Sequence, residues 1–217
     1  MDRRVDPDHW VAPPLPERAA DPRYGALGGA RYDHPDHAAD RDAVRSFLEA
    51  PGPVCFEIGF DHGNVLIDAA RRWPDHRWLG CEIRRHRVDA AAPHAPPNAL
   101  LVRGDGRILL ADVIPPGRLT ALLLLFPTPS HDPRHLLLTP AVLAVAARAL
   151  APTGVLHLAT DVPGMARWAE QCLTDWPVAP ALPFDLAPSR RARVCLRDGR
   201  PVWRFTRHPP PTSAGHA

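Results

Sequence analysis

Glycines and carboxylates occur together after the first apolar segments of the chain. The first segment runs into EIGFDHGN, where Gly59 and Gly63 let the backbone approach a ligand and turn into a helical pattern. The second ends with Glu82, placed to accept hydrogen bonds from both hydroxyls of a ribose. The third ends with Asp105 in RGDGR, placed to meet an adenine edge. Each acid alone is typical of a solvated strand end, but together they favour an adenosine-containing ligand.

The segment LLLLFPTPS leads from an apolar run into a proline-rich loop. Pro127 and Pro129 fix the backbone torsion and remove two N–H donors. The carbonyls and the hydroxyls of Thr128 and Ser130 then form a stiff wall of hydrogen-bond acceptors. The same residues are also compatible with a rigid turn that binds nothing.

Two further signals are weaker. Asp161 follows the last apolar run and precedes Pro163, so it is either a site acid or a helix cap. His131 and His135 have the spacing of helical metal ligands, but Pro133 lies between them and no third ligand is apparent. We therefore expect surface histidines and no metal site.

Five near-continuous apolar runs alternate with helical patterns, which predicts a parallel sheet covered on both faces. The predicted strands are 54–60, 77–83, 99–105, 120–126 and 154–161. The predicted helices are 40–50, 64–73, 140–150 and 163–175. In such a sheet the ligand lies beyond the carboxyl ends of the strands, where these acids and loops are.

The pattern changes after the last helix. ARVCLR and PVWRFTRH are joined through Asp198 and Gly199, and Asp-Gly between alternating runs predicts a β-hairpin. The predicted fold class is α/β and Rossmann-like, with a mostly parallel seven-stranded sheet, helices on both faces and a C-terminal antiparallel hairpin. This is the layout of the class I methyltransferases, although dehydrogenases share its first half.

Length, composition and charge limit which classes of protein the chain can belong to. The 217 residues suit one α/β domain, and all 26 basic residues are arginine. The net charge of +2 does not by itself indicate a nucleic-acid partner, and the four cysteines lie too far apart for a zinc framework. No apolar run could span a bilayer, so a cytoplasmic protein is expected. We predict an irregular arm at 1–35, the domain at 36–208 and a disordered tail at 209–217.

The segments EIGFDHGN, RGDGRILL, LLFPTPS and GVLHLATDVPGM, in this order, resemble the bacterial tRNA (guanine-N7)-methyltransferase family over about residues 54–175. The resemblance implies S-adenosylmethionine as methyl donor and guanine N7 in tRNA as acceptor. It implies a cofactor site of Glu57, Gly59, Gly63, Glu82, Asp105, Phe126 and Pro127. It implies a substrate site of Thr128, Ser130, Asp132, Thr160, Asp161 and Arg193, in which Thr128 and Asp161 are the catalytic positions and Asp161 holds the guanine.

The departures from the family pattern lie mostly in the acceptor half. The family's FPDPW reads FPTPS here, so Thr128 stands where the active-site acid is expected and Ser130 replaces the tryptophan. Asp132 stands where the family has lysine, and the basic run after it is missing. Arg193 aligns loosely with the threonine that contacts guanine, and Asp61 replaces a loop glycine. These changes suggest an altered acceptor site.

The sequence therefore predicts an N-methyltransferase that acts on a ring nitrogen of guanine or a guanine-like heterocycle by in-line transfer without a general base. Two alternatives remain open: a small-molecule enzyme for a purine-like metabolite, or a cofactor-binding partner subunit without catalysis. A nicotinamide-linked oxidoreductase is disfavoured, because the GxGxxG fingerprint is absent.

Overall fold

The computed structural model describes residues 5–25 and 38–211. Residues 1–4 and 26–35 of the predicted arm and residues 212–217 of the predicted tail lie outside this part. Within it, no helix is both long and apolar enough to cross a membrane.

A six-stranded sheet forms the middle layer of the described residues. The strands are β1 (Val54–Ile58), β2 (Arg77–Glu82), β3 (Ala99–Arg103), β4 (Leu119–Leu125), β5 (Leu150–Thr160) and β6 (Trp203–Arg207). Their spatial order is β3-β2-β1-β4-β5-β6, and only β6 runs antiparallel to its neighbour. The chain order reverses between β1 and β4, so the carboxyl ends of these two strands mark the switch point where ligands of doubly wound sheets bind.

Helices cover both faces of the sheet, as the apolar periodicity predicts. They are α1 (Ala38–Glu49), α2 (Asn64–Arg72), α3 (Arg85–Ala91), α4 (Pro140–Ala149), α5 (Pro163–Cys172) and α6 (Arg190–Arg197). A short helical turn, Gly106–Ile108, continues as a π-helical turn, Leu109–Val113. Helix α4 begins where the sequence indicates, with Pro140 at its first position and the Thr139 hydroxyl accepting from the Val142 N–H.

The core is divided by the sheet into two apolar layers. On one face α1, α4 and α5 pack over side chains such as Phe56, Leu122 and Leu156. On the other face α2 and α3 pack over Trp78 and Leu123. Because both faces of the central strands are buried, their sequences are continuously apolar rather than alternating.

The prediction that a β-strand forms the first arm of a C-terminal hairpin is wrong. Residues 192–197 lie in helix α6, so the sheet has six strands among the described residues rather than seven, while β6 supplies the predicted antiparallel strand. Asp198 and Gly199 end the helix instead of turning a hairpin. Gly199 has φ +64°, its N–H donates to Leu196 O, and the Arg200 N–H donates to Cys195 O. This is a Schellman C-cap, which needs the same left-handed glycine as a hairpin turn.

The described part of the N-terminal arm packs on the domain near the proline-rich loop. Trp10 is fully buried against Leu136, Val162 and Met165. Its indole N–H donates to the Ser130 carbonyl at 3.0 Å. The arm therefore contacts both the loop after β4 and the start of α5.

Candidate functional site

Glu57 lies near the end of β1 and has an unusual environment. Its side chain is 4% exposed, and Oε2 has no hydrogen-bond partner in the structure. Burial, followed by the negative charges of Asp61 and Glu82, raises the pKa of Glu57 to about 8. An unpartnered buried carboxyl oxygen is a site for a donor from a ligand.

The turn after β1 has left-handed backbone conformations. Gly59 and Gly63 have φ +78° and +73°, and Asp61 between them has φ 51°. A Cβ added at Gly59 would meet no atom within 4 Å, so the glycine leaves open space on this side of the turn. Asp61 occupies a conformation that favours glycine, which agrees with its replacement of a family glycine.

Glu82 at the end of β2 is buried, and its carboxylate is held by Arg84. The Arg84 backbone N–H and Nε both donate to Oε1 at 3.0 Å, and Nη2 donates to Oε2 at 3.0 Å. The Asp61 N–H also donates to Oε2, at 3.2 Å. The Arg84 side chain is 47% exposed and Glu82 is 3% exposed, so Arg84 could move into water only where a ligand donor takes its place on the buried carboxylate.

Asp105 after β3 is paired with a guanidinium that is itself buried. Arg107 Nη2 lies 2.7 Å from Asp105 Oδ2, and the two side chains are 8% and 7% exposed. Arg107 Nη1 donates to the carbonyls of Tyr24 and Arg134, at 3.1 and 2.8 Å. Arg107 thus ties the end of β3 to the N-terminal arm and to the loop after β4.

The same local arrangement recurs along the chain. In an acid-x-Arg turn, one carboxylate oxygen accepts both the backbone N–H and the Nε of the arginine two residues later. Among the described residues, four such turns are Asp21–Arg23, Glu82–Arg84, Asp105–Arg107 and Asp132–Arg134. This arginine spacing is visible in the sequence, and it is the signal by which the partners of Glu82 and Asp105 could have been found.

The proline-rich loop begins with a strained residue. Phe126 has φ 55°, uncommon for an aromatic residue, and its N–H donates to Ala159 O at 2.7 Å. Thr128 is exposed, Pro127 is partly exposed, and the Ser130 hydroxyl accepts the Asp132 N–H at 3.0 Å. The loop therefore presents Thr128 to solvent at the switch-point edge of the sheet.

The Asp132 carboxylate accepts hydrogen bonds within its own turn, from Arg134. Hydrogen bonds from Arg134 hold the pKa of Asp132 at about 2, and Arg134 Nη2 lies 2.6 Å from Oδ2. Two nearby predicted substrate residues also have structural partners. Thr160 is 1% exposed and its hydroxyl accepts the Val162 N–H at 3.2 Å, whereas Arg193 lies on the outer side of α6 and donates to Pro188 O at 2.8 Å.

Asp161 after β5 is enclosed by two arginines. Arg191 Nη2 and Arg200 Nη1 lie 2.6 and 2.9 Å from its Oδ2, and the Asp161 side chain is 4% exposed. Burial opposes its ionisation, but the hydrogen bonds and charges of Arg191 and Arg200, with a hydrogen bond from Cys195, hold the pKa of Asp161 below its ordinary value. The groups that face solvent here are the guanidiniums of Arg191 and Arg200, which are absent from the predicted site.

The structure thus brings the predicted residues into two neighbouring groups. Glu57, Gly59 and Glu82 meet across the ends of β1 and β2, with the Gly59 N–H donating to Cys81 O at 2.8 Å. Thr128 lies beyond β4, and Asp161 follows the adjacent strand β5. The two groups therefore lie on either side of the switch point.

Two solved methyltransferase structures share this arrangement of strands and helices. The 16S rRNA methyltransferase KamB has a TM-score of 0.55 and 18% identity, covering 80% of this chain and 94% of its own. The aminoglycoside resistance methyltransferase NpmB1 has a TM-score of 0.53 and 16% identity, covering 78% and 93%. This likeness establishes the fold. The protein has the Rossmann-like fold of the class I methyltransferases, as the sequence predicted.

Sequence comparison then identifies the family. The family model described as "Putative methyltransferase" matches residues 51–179. The tRNA (guanine-N(7)-)-methyltransferase of Anaeromyxobacter dehalogenans is 35% identical over 175 residues, 73% of this chain and 87% of that protein. That of Alkalilimnicola ehrlichii is 32% identical over 199 residues, 88% and 79% of the two chains. The chain belongs to the tRNA (guanine-N7)-methyltransferase family and is an S-adenosylmethionine-dependent methyltransferase, which confirms the resemblance and the enzyme class.

The residues at the ends of β1 and β2 are chemically suited to the cofactor of this class. Glu57 has a buried oxygen without a donor, and Gly59 leaves the turn open. Glu82 can exchange the half-exposed Arg84 for hydroxyl donors. Asp105, by contrast, is committed to the buried Arg107.

Proposed function

We propose that the protein transfers a methyl group to a ring nitrogen, N7, of guanine in tRNA. The observation that carries the proposal is membership of a family whose named relatives match 73–88% of this chain. The switch-point geometry supports it, because open backbone and acids at β1 and β2 lie beside the loop after β4, which would meet the acceptor.

The proposed cofactor-binding residues are those whose hydrogen-bonding groups are unpaired or have a partner that a ligand could displace. Glu57 Oε2 would accept from the ammonium group of S-adenosylmethionine, Gly59 would let the backbone approach it, and Glu82 would accept from the ribose hydroxyls. Gly63, Phe126 and Pro127 frame the same edge of the sheet. Asp105 reaches an adenine edge only through the oxygen lone pairs that Arg107 leaves open.

The chemistry requires positioning rather than proton transfer. The bound cofactor supplies an electrophilic methyl group on sulfur. Guanine N7 carries a lone pair and no proton, so its attack needs alignment at near-attack distance and no general base. The stiff 126–130 loop supplies a wall beside the acceptor, with the Thr128 hydroxyl as a neutral hydrogen-bonding group.

Asp161 would then act on the acceptor through its arginines. Its carboxylate oxygen Oδ2 already accepts from Arg191 and Arg200. A guanine edge could donate to Asp161 Oδ1, which neither arginine contacts, or displace one of them from Oδ2, whereas a phosphate or purine oxygen could bind the guanidiniums directly.

A second acceptor class is favoured by Thr128 in place of an acid. A small purine-like heterocycle needs no basic loop, and the region after residue 130 has lost the family's basic run. This alternative predicts methylation of a free nucleobase or nucleotide with unmodified tRNA left unchanged.

The test is methyl transfer from labelled S-adenosylmethionine to unmodified tRNA, followed by digestion to nucleosides and mass analysis. We expect N7-methylguanosine, and we expect Asp161→Ala to lower kcat/KM by about a hundredfold, the size of effect seen when one positioned polar group is lost. Asp89→Ala is the matched control, because Asp89 forms only an exposed pair with Arg85.

The possible results of this test distinguish the proposed function from its two alternatives. Methylated guanine elsewhere than N7, or a methylated free heterocycle with unchanged tRNA, would overturn the proposed acceptor. Cofactor binding without transfer to either acceptor would favour the non-catalytic partner subunit.

A further inference from the structure

The C-terminal segment carries an unusual concentration of positive charge. Residues 190–207 contain seven arginines and one acid, a net charge of +6, whereas the whole chain has +2. The remaining residues therefore carry a net charge of −4. Such a difference within one chain indicates a local polyanion-binding surface rather than a generally basic protein.

Helix α6 divides these arginines between two faces. Arg191 and Cys195, four residues apart, both point to Asp161. Arg190, Arg193 and Arg197 have the spacing i, i+3, i+7 and share the opposite, exposed face. At 1.5 Å per residue this stripe is about 10 Å long, enough for two or three phosphates of a strand.

The stripe lies on the same short helix that Asp161 anchors from its other face. Asp161 anchors α6 through Arg191 and also holds Arg200 just beyond the helix C-cap. The only acid among residues 190–207, Asp198, is paired with Arg197 at 2.8 Å, an exposed contact that a phosphate can replace. A strand bound along the exposed face of α6 would therefore pass close to the end of β5, where Asp161 lies.

We propose that the exposed stripe Arg190, Arg193 and Arg197 docks the phosphate backbone of the RNA strand that carries the methylated base. The inference rests on the proposed tRNA acceptor and names the surface that binds it. The stripe would supply cations that the segment after residue 130 lacks. RNA is favoured over an anionic membrane. A helix that binds a membrane surface needs a row of exposed apolar side chains beside its arginines, whereas Leu196 is the one strongly exposed apolar side chain of α6, at 81%.

The test is the affinity for unmodified tRNA, measured by fluorescence anisotropy between 50 and 200 mM salt. The variant is Arg190→Gln, Arg193→Gln and Arg197→Gln combined. Glutamine preserves helix propensity, so α6 should remain folded. We expect affinity to fall about tenfold or more and the slope of log K against log salt to become shallower by about 0.7–0.9 for each lost contact.

A matched variant controls for net charge. Arg45→Gln, Arg71→Gln and Arg72→Gln together remove three exposed cations from helices that precede β1 and β2, at the amino end of the sheet. We expect this variant to retain the wild-type affinity and salt slope. Equal losses in both variants, or no loss in the α6 variant, would overturn the proposal. So would binding of phosphatidylserine vesicles that the α6 substitutions abolish while tRNA affinity is retained.

Failure of the docking surface can be distinguished from failure of the proposed function. N7-methylguanosine formed by the wild type, with unchanged KM for tRNA in the α6 variant, would reject the surface and keep the function. Arginine-dependent tRNA binding without any methyl transfer would keep the surface and reject the function.

Discussion

At the level of single side chains, Glu57 differs from the other acids at the strand ends because its buried Oε2 has no donor. Its pKa of about 8 lies above the ordinary value of 4.5. The folded state therefore retains a proton that the unfolded state releases between these two values. Its contribution to stability is complete below about pH 4.5 and is lost as the pH rises through 8.

The Glu57→Gln variant should remove this pH dependence, since glutamine imitates the protonated acid. We expect its melting temperature relative to wild type to increase from pH 5 to pH 8.5, measured by thermal unfolding monitored by circular dichroism. Asp61→Asn is the informative control, because removing that negative charge should lower the pKa of Glu57 and shift the window to lower pH. A constant difference between Glu57→Gln and wild type would contradict the buried-acid interpretation.

Glu82 provides a second prediction at this scale. Hydrogen bonds to a charged group contribute about 1.5–3 kcal/mol, so Glu82→Gln should weaken binding of S-adenosylhomocysteine at least about tenfold in isothermal titration calorimetry. Arg84→Gln should leave affinity unchanged or raise it up to about fivefold, because the half-exposed Arg84 guanidinium no longer competes with the ribose for the buried Glu82 carboxylate. Equal affinity of Glu82→Gln and wild type would place the ribose elsewhere.

At the level of elements, the C-cap of α6 depends on Gly199. A Cβ there would contact no atom within 4 Å, but φ is +64°, so the cost of alanine is conformational rather than steric. We expect Gly199→Ala to destabilise the protein by about 1–2 kcal/mol, or a few degrees in melting temperature. Gly199→Asn should lose less, because asparagine tolerates the left-handed region. If alanine and asparagine were equivalent to glycine in thermal unfolding, the capping role would be wrong.

At the level of the whole molecule, Arg107 connects three parts of the chain through Asp105, Tyr24 O and Arg134 O. Arg107→Leu should destabilise the fold by about 3–5 kcal/mol in urea unfolding, because Asp105 would be left buried and unpaired. Adding Asp105→Asn should recover part of this loss.

The Asp132–Arg134 turn is the matched comparison, since it has the same local geometry with side chains 30% and 58% exposed. Arg134→Gln should change stability by less than about 1 kcal/mol. Similar losses for the two arginines would show that burial does not govern these turns.

The sequence predicts most of the architecture, because its signals are local. Four helices and five parallel strands were predicted close to their observed positions, since continuously apolar strands and helical periodicity record burial on both faces. The glycine and acid positions after β1, β2 and β3 were visible for the same reason. The predicted first arm of the C-terminal hairpin was wrong, because Asp-Gly provides a left-handed residue that suits both a hairpin and a Schellman cap.

By itself the sequence determined the order of elements, the fold class and which residues follow each strand. Only the tertiary structure decided which of those residues are available to a ligand. Asp105 and Asp161 are engaged by arginines, while Glu57 Oε2 is left without a donor. The physical reason is that periodicity reports burial along one segment, whereas the pairing of charges depends on contacts between segments as distant as residues 161 and 200.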